Sequence, residues 1–567
     1  MNTFELYTRW LERAVDDPDL VAELKSVAGN EEAITDRFYK ELEFGTGGLR
    51  GEIGAGTNRM NVYTVRKATQ GLADHVNSVS SSPKVAVAYD SRIKSDVFAK
   101  ETAAVLAANG VKVFIYPELM PTPMLSFAVR ALGCDAGVVV TASHNPAKYN
   151  GYKVYGNDGC QLGLEAAAHV LEIINGLDAF DDVKTMCFEK AIESGLVEYI
   201  GNDVIEDYLN HVHACSVNPV TSDLKVIYTP LHGSGNKPVR AILKKIGLEN
   251  VTVVPEQELP DGNFPTAPYP NPEIRQAFEC ALKLAESVNP DILLATDPDS
   301  DRVGIAVRQN GEYQLVTGNE VGCLLLNYIL EARKEKGTLP ESPVAVKTIV
   351  TSDMTRKIAA KYGCELREVL TGFKFIGEQI HLLEEKGEES RYVLGFEESY
   401  GYLAGTYVRD KDAVVASMLI CEMASYYKSK GKTLIDVLDE LYGEYGVYLH
   451  SQVNITCEGV TGMQRMAEVM NSMRSNPPKE IAGLPVVAVR DYMSGVRTLS
   501  DGTEEPITLP KTKALFYELP DDMNAVVRPS GTEPKIKIYL TARASTKQEA
   551  EEITKKLGDD MKAKMGF

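Results

Sequence analysis

The chain has 567 residues, and its 60 Lys and Arg against 80 Asp and Glu give a formal net charge of −20. At roughly 150 residues per domain this length predicts about three or four domains. A composition of 44% hydrophobic and 25% charged residues is ordinary for a globular protein. The acidic balance argues against coating of nucleic acid, which needs a basic face, but it allows a small anionic ligand in a local basic pocket.

The cysteines and the apolar segments indicate a soluble protein of the cytoplasm. Nine cysteines lie singly between Cys134 and Cys457 and no C-x-x-C pair occurs, so neither a zinc ribbon nor a redox motif is indicated. An odd number of cysteines in so long a chain favours reduced thiols. The longest apolar run, Val321–Leu330, is well short of the roughly 18 residues that indicate a membrane span. The first residues resemble no secretory signal.

The start of the chain predicts a helical extension followed by a first round of strands and helices. The extension covers Asn2–Lys40 and carries the only tryptophan, Trp10. Buried-type strands follow at Lys84–Tyr89, Val111–Tyr116 and Ala136–Val140. Ser95 is expected to cap a helix over Asp96–Asn109 that ends at Gly110.

The same alternation returns twice and then changes. The second round predicts strands at Leu224–Tyr228, Val251–Val254 and Asp291–Ala295. The third predicts strands at Val344–Val350, Glu365–Val369 and Tyr392–Leu394, before a long helix over Lys411–Lys428. From about His450 strands outnumber helices, until a charged helix closes the chain. The predicted fold class is therefore α/β, with three similar mixed-sheet α/β domains and a C-terminal α+β domain.

Four polar loops follow predicted strands, where open α/β sheets place their functional residues. The first is Thr141-Ala142-Ser143-His144-Asn145-Pro146, and its serine carries a hydroxyl that can accept a phosphoryl group. No G-x-S-x-G surrounds it, so an esterase-type nucleophile elbow is not indicated. The alternative is a turn in which the serine and asparagine cap backbone groups.

The second loop, Asp297-Pro298-Asp299-Ser300-Asp301-Arg302, predicts a metal site. Alternation in an extended segment places its three aspartates on one side. Carboxylates so close together repel unless a cation neutralises them, and hard oxygen ligands suit Mg²⁺. An EF-hand is excluded because Arg302 and Arg308 stand where its glycine and bidentate glutamate would be. A solvated acidic turn is the weaker interpretation.

The third and fourth loops offer groups for a sugar and a phosphate. Gly395–Gly401 (GFEESYG) alternates acceptors and donors of the kind that hold sugar hydroxyls, although a surface turn fits equally well. Arg528–Pro534 (RPSGTEP), followed by Lys535 and Lys537, suits an anion, because guanidinium and backbone N–H groups can share phosphate oxygens. A tight turn with a surface arginine is the alternative. No Walker A motif occurs.

The four motifs together, in this order and at this spacing, resemble those of the α-D-phosphohexomutases over almost the whole chain from Phe44 onward. Gly45–Gly51, Asn58–Asn61 and Thr371–Lys374 are similar to the phosphoglucomutase branch, which includes phosphopentomutases and glucose-bisphosphate synthases. The resemblance implies four domains around a central cleft. The expected domains are an N-terminal extension with the phosphoserine domain, a metal domain, a sugar domain and a phosphate domain, at residues 1–200, 201–320, 321–449 and 450–567.

The resemblance also implies the site residues. Ser143 would be phosphorylated and would join three metal ligands around Mg²⁺, namely Asp297, Asp299 and Asp301. Charge neutralisation or proton transfer would fall to Arg50, Arg302, His144 and Lys153, with the last two as candidate general bases. The sugar would be held by Glu397 and Ser399, with Thr371, Lys374 and Lys411 nearby. The non-reacting phosphate would bind Arg528, Ser530, Gly531 and Thr532. Some bacterial relatives carry a histidine where this chain has Gly401.

The implied activity is the interconversion of glucose 1-phosphate and glucose 6-phosphate through a phosphoserine and a sugar bisphosphate. Mg²⁺ and glucose 1,6-bisphosphate are the expected cofactor and activator. The alternatives are a mannose or pentose phosphate as main substrate, a glucose 1,6-bisphosphate synthase, a metal-dependent sugar phosphatase, and a binding protein without activity. The intact Ser143 and aspartates speak against the last. Sugar phosphates are the expected partners, with no nucleic acid, membrane or protein partner implied.

Overall fold

The structure of the chain, a computed structural model, describes residues 1–45, 47–221, 223–457, 462–530 and 535–567. It separates into two compact units. Unit 1 comprises Met1–Gly318 and Phe373–Gly431, and unit 2 comprises Asn319–Gly372 and Lys432–Phe567. The predicted fold class is confirmed, because mixed sheets with packed helices precede a further, largely antiparallel C-terminal domain. Among the described helices, none has the length and apolar character that crossing a membrane requires.

The N-terminal extension is helical, as predicted. Its helices are Thr3–Arg13, Pro18–Ser26 and Glu31–Phe38. Each follows an Asn or Asp whose side chain accepts a backbone N–H of the first turn, which is why the helices begin where they do. Trp10 is 2% exposed and meets the rings of Phe38 and Phe180 edge-on, so the extension is packed into the first domain of unit 1.

The first sheet of unit 1 has six strands. In spatial order they are Gly48–Glu52, Tyr149–Gly156, Ala136–Val140, Lys84–Tyr89, Lys112–Ile115 and Val197–Tyr199. The last four are parallel, and the first two pair antiparallel. The helices of this region are Val62–Val79, Ser95–Ala108, Thr122–Ala131, Leu164–Gly176, Phe188–Glu193 and Asn202–Ala214. The strand bounds predicted for Lys84–Tyr89 and Ala136–Val140 are confirmed, since continuous apolar runs are buried on both faces.

The predicted cap at Ser95 is wrong. The helix begins at Ser95 itself, after Lys94, which has a left-handed φ of 62° and makes no side-chain cap. The Ser95 hydroxyl instead donates to Asp90 Oδ1 at 2.8 Å. The serine is thus drawn into a contact with the end of the preceding strand, which a sequence pattern of capping residues does not reveal.

The second sheet of unit 1 has five strands. In spatial order they are Glu312–Val316, Val303–Gln309, Ile292–Thr296, Val226–Thr229 and Val251–Val253. Its helices are Asn236–Lys245, Pro255–Glu258 and Glu279–Val288, the last preceded by the 3₁₀ turn Arg275–Phe278. The remainder of unit 1 contains the antiparallel strands Tyr392–Phe396 and Tyr402–Leu403, the 3₁₀ turn Glu389–Arg391, and the helices Phe373–Glu384 and Ala413–Ser429.

Unit 2 combines a parallel strand pair with a seven-stranded antiparallel sheet. The pair is Val344–Thr348 with Glu365–Val369. The sheet runs in the order Val447–Thr456, Lys535–Ala544, Asn524–Pro529, Leu515–Glu518, Ala488–Asp491, Val496–Leu499 and Glu504–Pro506. A small hairpin joins Glu480–Ile481 to Leu484–Pro485. The helices are Gly318–Glu335, Met354–Lys361, Leu434–Tyr445, Gly462–Ser475 and Lys547–Lys564.

A buried ion-pair network stabilises unit 2. Lys347, with a side chain only 1% exposed, pairs with Asp353 at 2.7 Å and with Glu368 at 3.2 Å. Arg490 of the antiparallel sheet pairs with Glu368 at 2.7 Å, which links that sheet to the parallel pair. Burial opposes ionisation of Asp353, but Lys347 and Arg356 outweigh it and lower the pKa of this carboxyl to about 2.

Asp353→Asn is expected to lower the stability of this region by about 2 kcal/mol at pH 7, because a depressed carboxyl pKa is a stabilising contribution of that size. The contribution is complete above the unfolded-state pKa, about 4, and is lost as the pH falls toward about 2. Hydrogen exchange of Val344–Thr348 measures this loss of stability. The exchange rate of the variant is expected to exceed that of wild type by roughly 30-fold at neutral pH, and the ratio should shrink below about pH 4. Asp439→Asn, which removes an exposed pair with Lys547, is the control. A neutral-pH ratio near one for Asp353→Asn would contradict the expectation.

Candidate functional site

Ser143 lies buried at the end of a central strand of the first sheet in unit 1, with a left-handed φ of 53°. Its Oγ donates to Asp297 Oδ2 at 2.8 Å and lies 3.1 Å from His144 Nδ1. Its backbone N–H donates to Thr141 Oγ1 at 2.8 Å. A non-glycine residue in this conformation needs its surroundings to hold it there. The serine predicted from the first loop is therefore placed against a residue of the metal loop.

Arg50 reaches the same region through sheet pairing. Its strand lies antiparallel to Tyr149–Gly156, the strand after the serine loop, with Arg50 opposite Gly151. A Cβ at Gly151 would come within 2.4 Å of the Thr141 carbonyl oxygen, so only glycine allows this close approach. Burial lowers the pKa of His144, and the charges of Arg302 and Arg50 lower it further, which favours a neutral imidazole beside Ser143.

The three aspartates of the metal loop converge as predicted, but for a different geometric reason. Residues 297–302 form tight turns and bends in which Ser300 has a φ of 51°, so the expected extended segment is wrong. The backbone N–H groups of Asp301 and Arg302 both donate to Asp297 Oδ1, at 3.1 and 3.0 Å. The chain curls around one carboxylate, and this curl gathers the aspartates.

Three buried carboxylates meet here, each with at most 1% of its surface exposed: Asp297, Asp299 and Asp301. One oxygen from each lies within 4.8 Å of the others, and no other such group of His, Cys, Asp or Glu occurs in the described part of the chain. Asp299 Oδ1 and Asp301 Oδ1 are buried without a hydrogen-bond partner among the described residues. Three buried carboxylates gathered so closely, two of them with an unsatisfied oxygen, fit a divalent cation with hard oxygen ligands.

Cationic side chains surround the carboxylates. Lys153 Nζ donates to Asp299 Oδ2 at 2.9 Å, Lys411 Nζ lies 3.2 Å from Asp301 Oδ2, and Arg302 pairs with Glu273 at 2.6 Å. Burial raises the pKa of Asp297, and repulsion from the other two aspartates raises it further. Burial favours the neutral amine of Lys153, but the charges of Asp299 and Asp301 outweigh it and raise the pKa of Lys153. Lys153 is therefore held as an ammonium ion beside the carboxylates.

The sugar-loop residues follow the strand Tyr392–Phe396, also in unit 1. The backbone N–H of Glu397 donates to the Gly401 carbonyl at 2.9 Å, and Tyr400 adopts a left-handed φ of 66°. Glu397 is 8% exposed. Burial lowers the pKa of Arg302 and of Lys411, but nearby carboxylates outweigh it, and Glu397 is one of those carboxylates. The structure thus brings Glu397 near Arg302 of the metal loop, with the half-buried Ser399 two residues further on.

Gly401 leaves room for Lys411. A Cβ at this position would lie 2.1 Å from Lys411 Cδ and 2.6 Å from Cγ. Lys411 in turn pairs with Asp301. The Nζ of Lys411 also donates to Asp410 Oδ1 at 3.0 Å. The space that a side chain at position 401 would occupy is thus filled by the lysine stem.

Gly401→Ala is expected to displace Lys411 from Asp301 and to lower kcat by about 10- to 100-fold, because a displacement near 1 Å in a charged site costs this much. Steady-state kinetics with a sugar 1-phosphate measures it. Gly443→Ala is the matched control, since a Cβ there meets nothing within 4 Å and its helix favours alanine. Equal kcat values for Gly401→Ala and wild type would contradict the role given to Lys411.

The remaining predicted residues lie apart from these contacts or in unit 2. Lys374 is half-buried near the start of the helix Phe373–Glu384, and burial lowers its pKa. Thr371 and the phosphate-loop residues belong to unit 2. Arg528 lies near the end of the strand Asn524–Pro529, and the Ser530 N–H donates to the Lys535 carbonyl at 2.8 Å. Gly531 and Thr532 lie outside the described residues.

Sequence reasoning missed several residues that support the site. They are Asp90, Arg92, Thr122, Glu273 and Asp410. Asp90 and Arg92 had a visible signal, since they end the predicted strand Lys84–Tyr89. Thr122 donates to Asp299 Oδ2 at 3.1 Å from a distant helix, and Glu273 lies in a loop between elements. Only the tertiary fold brings Thr122 to Asp299 and Glu273 to Arg302.

The fold and the site define an enzyme that transfers a phosphoryl group on an α/β scaffold. Sequence models of the phosphoglucomutase/phosphomannomutase family match its alpha/beta/alpha domains I, II and III at residues 41–180, 206–311 and 317–445. The chain belongs to this family, and it is an isomerase of the phosphohexomutase class. The resemblance inferred from the four motifs is confirmed.

Individual relatives support the assignment along nearly the whole chain. Phosphoglucomutase from Staphylococcus aureus strain USA300 is 38% identical over 94% of this chain and 95% of its own. Phosphoglucomutase from Staphylococcus haemolyticus is 38% identical over 89% of this chain and 91% of its own. In fold, the chain is similar to the phosphoglucomutase parafusin from Paramecium in its open form, with a TM-score of 0.68 at 19% identity. The likeness covers 93% of this chain and 95% of that one.

Proposed function

We propose that the chain interconverts glucose 1-phosphate and glucose 6-phosphate, with Ser143 as the residue that carries the phosphoryl group. The observation that carries the proposal is the contact of Ser143 Oγ with Asp297 Oδ2 at 2.8 Å, at the edge of the buried aspartates. The glucose preference rests on phosphoglucomutase relatives that are 38% identical over 94% of the chain. The cytoplasm is the compartment that we expect for this reaction.

Mg²⁺ is the proposed ion at the aspartates, with Asp297, Asp299, Asp301 and the phosphorylated Ser143 as ligands. When bound, it neutralises oxygens of the phosphoryl group. The residues fit it, because two of the buried carboxylate oxygens have no hydrogen-bond partner among the described residues. Lys153, Lys411 and Arg302 add positive charge around the same group. These side chains favour a transferring phosphoryl group, whose charge spreads over its oxygens.

The proposed transfer begins with Ser143 phosphorylated. A sugar hydroxyl oxygen forms a bond to phosphorus as the bond from phosphorus to Ser143 Oγ breaks, which yields the sugar bisphosphate. The hydroxyl proton leaves to a base and ends on Ser143 Oγ, so the charges balance. We assign the proton transfer to His144, because its Nδ1 lies 3.1 Å from that oxygen, whereas Lys153 is paired with two carboxylates. The reverse transfer, from the other end of the reoriented bisphosphate, completes the isomerisation.

The other predicted residues are assigned to substrate. Glu397 and Ser399 are proposed to bind sugar hydroxyls, and Thr371 and Lys374 are proposed as further substrate-binding residues. Arg528, Ser530, Gly531 and Thr532 are proposed to bind the phosphate that does not react. Glucose 1,6-bisphosphate is the proposed intermediate and activator. The corresponding domain boundaries, 1–200, 201–320, 321–449 and 450–567, stay a proposal.

A panel of sugar 1-phosphates tests the preference. Glucose, mannose and ribose 1-phosphates are compared by kcat/KM in the presence of Mg²⁺ and catalytic glucose 1,6-bisphosphate. The highest kcat/KM is expected for glucose 1-phosphate, and a higher value for either other sugar would overturn the preference. Stoichiometric release of inorganic phosphate would instead favour a phosphatase, and rapid bisphosphate formation from 1,3-bisphosphoglycerate would favour a synthase.

A further inference from the structure

A buried aspartate and a buried arginine directly follow the strand Lys84–Tyr89 of unit 1, beside the loop that carries Ser143. Asp90 is 2% exposed and Arg92 is 3% exposed. The proposed function assigns no step to either residue. Charged side chains are rarely buried unless every polar group is satisfied, so their partners indicate what they do.

The guanidinium of Arg92 binds the serine loop through its backbone. One terminal nitrogen, Nη2, donates to the carbonyl oxygens of Ser143 and Asn145, both at 2.5 Å. The other, Nη1, donates to the carbonyl oxygens of Pro146 and Tyr149, both at 3.0 Å. A single rigid fork of N–H donors therefore satisfies four carbonyl groups of one loop. The ring of Phe264 lies 5.1 Å from the guanidinium carbon.

Asp90 holds the other side of the same serine. Its carboxylate accepts from Thr141 Oγ1 at 2.6 Å and from the backbone N–H of Arg92 at 2.9 Å, and it pairs with Arg92 Nε at 3.2 Å. Thr141 Oγ1 in turn accepts from the backbone N–H of Ser143. The amide side of Ser143 is thus fixed through Thr141 and Asp90, and its carbonyl side is fixed by Arg92.

These contacts on both sides of Ser143 explain how the loop keeps an unfavourable backbone conformation. Ser143 has a φ of 53°, a conformation that a serine keeps only when its surroundings impose it. We propose that Arg92, supported by Asp90, is a positioning residue that holds the Ser143 loop in this conformation and so aims Oγ at the aspartates. The catalytic consequence rests on the proposed role of Ser143. The structural consequence, a loop that loosens when Arg92 is lost, does not depend on it.

Arg92→Met is the test variant, and Arg66→Met is its matched control. Arg66 lies in the same domain and pairs with Glu101 at 2.6 Å and Asp16 at 2.5 Å, away from the serine loop. Hydrogen exchange of the segment 141–149 is expected to accelerate by at least about tenfold in Arg92→Met and to stay unchanged in Arg66→Met. For Arg92→Met we expect kcat to fall by about 100-fold while KM for sugar phosphate stays within about threefold, because the nucleophile is misplaced and the substrate contacts are not.

Chemical rescue separates positioning from a general loss of stability. Arg92→Ala leaves space for a guanidinium ion, and millimolar guanidinium is expected to restore part of kcat in Arg92→Ala but none in Ser143→Ala. Arg92→Lys is not expected to restore kcat, because a point-like ammonium cannot reach carbonyl groups on both sides of the loop. If the alanine variant does not fold, Asp90→Asn must show faster hydrogen exchange of residues 141–149 and a lower kcat at unchanged KM, both at smaller amplitude than Arg92→Met.

The outcomes distinguish this inference from the proposed function. Unchanged exchange of residues 141–149 in Arg92→Met, or a kcat within about threefold of wild type, would overturn the inference. An active Ser143→Ala would overturn the proposed function, and the exchange measurement would still decide whether Arg92 holds the loop.

Discussion

Ser143→Ala is expected to lower kcat by at least about 10⁴-fold, because it removes the oxygen that accepts and returns the phosphoryl group. The fold should be retained, since alanine fits the buried space and the backbone contacts of Ser143 do not involve its hydroxyl. Mutase assays with glucose 1-phosphate measure the loss, and hydrogen exchange of the first sheet checks the fold.

A matched control exists in the same unit. Ser417, in the helix Ala413–Ser429, is also buried, and its hydroxyl lacks a hydrogen-bond partner among the described residues. Ser417→Ala is expected to keep kcat within about twofold, as for changes outside catalytic contacts. A Ser143→Ala enzyme that retains more than about a tenth of wild-type kcat would show that another residue carries the phosphoryl group.

Asp299→Asn is expected to have the second largest effect, a fall in kcat of about 10³-fold, which is typical when preorganised charge at a transferring group is lost. The amide keeps the shape but removes a charge that Lys153 and Thr122 hold in place. It also replaces one carboxylate of the group whose ligand oxygens lie within 4.8 Å of one another. The Mg²⁺ concentration for half-maximal activity should rise by more than about 10-fold.

Metal removal gives the complementary result. Chelation is expected to abolish activity in the wild type, and added Mg²⁺ should restore it. Glu286→Gln, an exposed change on a helix of the same domain, should keep both kcat and the Mg²⁺ requirement. Full activity after exhaustive chelation, or an Asp299→Asn variant with wild-type Mg²⁺ dependence, would argue against a metal at these carboxylates.

Much of the fold was predictable where the pattern was unambiguous. Glu365–Val369 and Lys84–Tyr89 have the bounds that their residue patterns predict. The hairpin of Val303–Gln309 with Glu312–Val316 escaped prediction, because its outer strand has mixed polarity and is partly exposed. Long-range pairing, which sequence periodicity does not encode, decides such elements.

The site was predictable at the level of motifs rather than contacts. The serine and the aspartates could be named because each motif pairs a reactive residue type with a strand end. The geometry could not be derived in this way. The aspartates converge through a curled loop instead of an extended one, and Ser143 is fixed by Arg92 from a neighbouring strand end. The curl depends on hydrogen bonds within the loop, which strand alternation does not reveal. The contact of Arg92 with Ser143 joins residues 51 positions apart, which a local sequence pattern does not encode.

Phosphopeptide mapping of the phosphorylated enzyme tests the proposed mechanism most directly. The protein is incubated with Mg²⁺ and glucose 1,6-bisphosphate labelled in its phosphates, then digested, and fragmentation spectra of residues 131–148 separate Thr141 from Ser143. We expect label on Ser143, discharged by unlabelled glucose 1-phosphate or glucose 6-phosphate at a rate matching turnover, and no label in Ser143→Ala. Label on another residue, or turnover by an enzyme that never carries label, would contradict the phosphoserine mechanism.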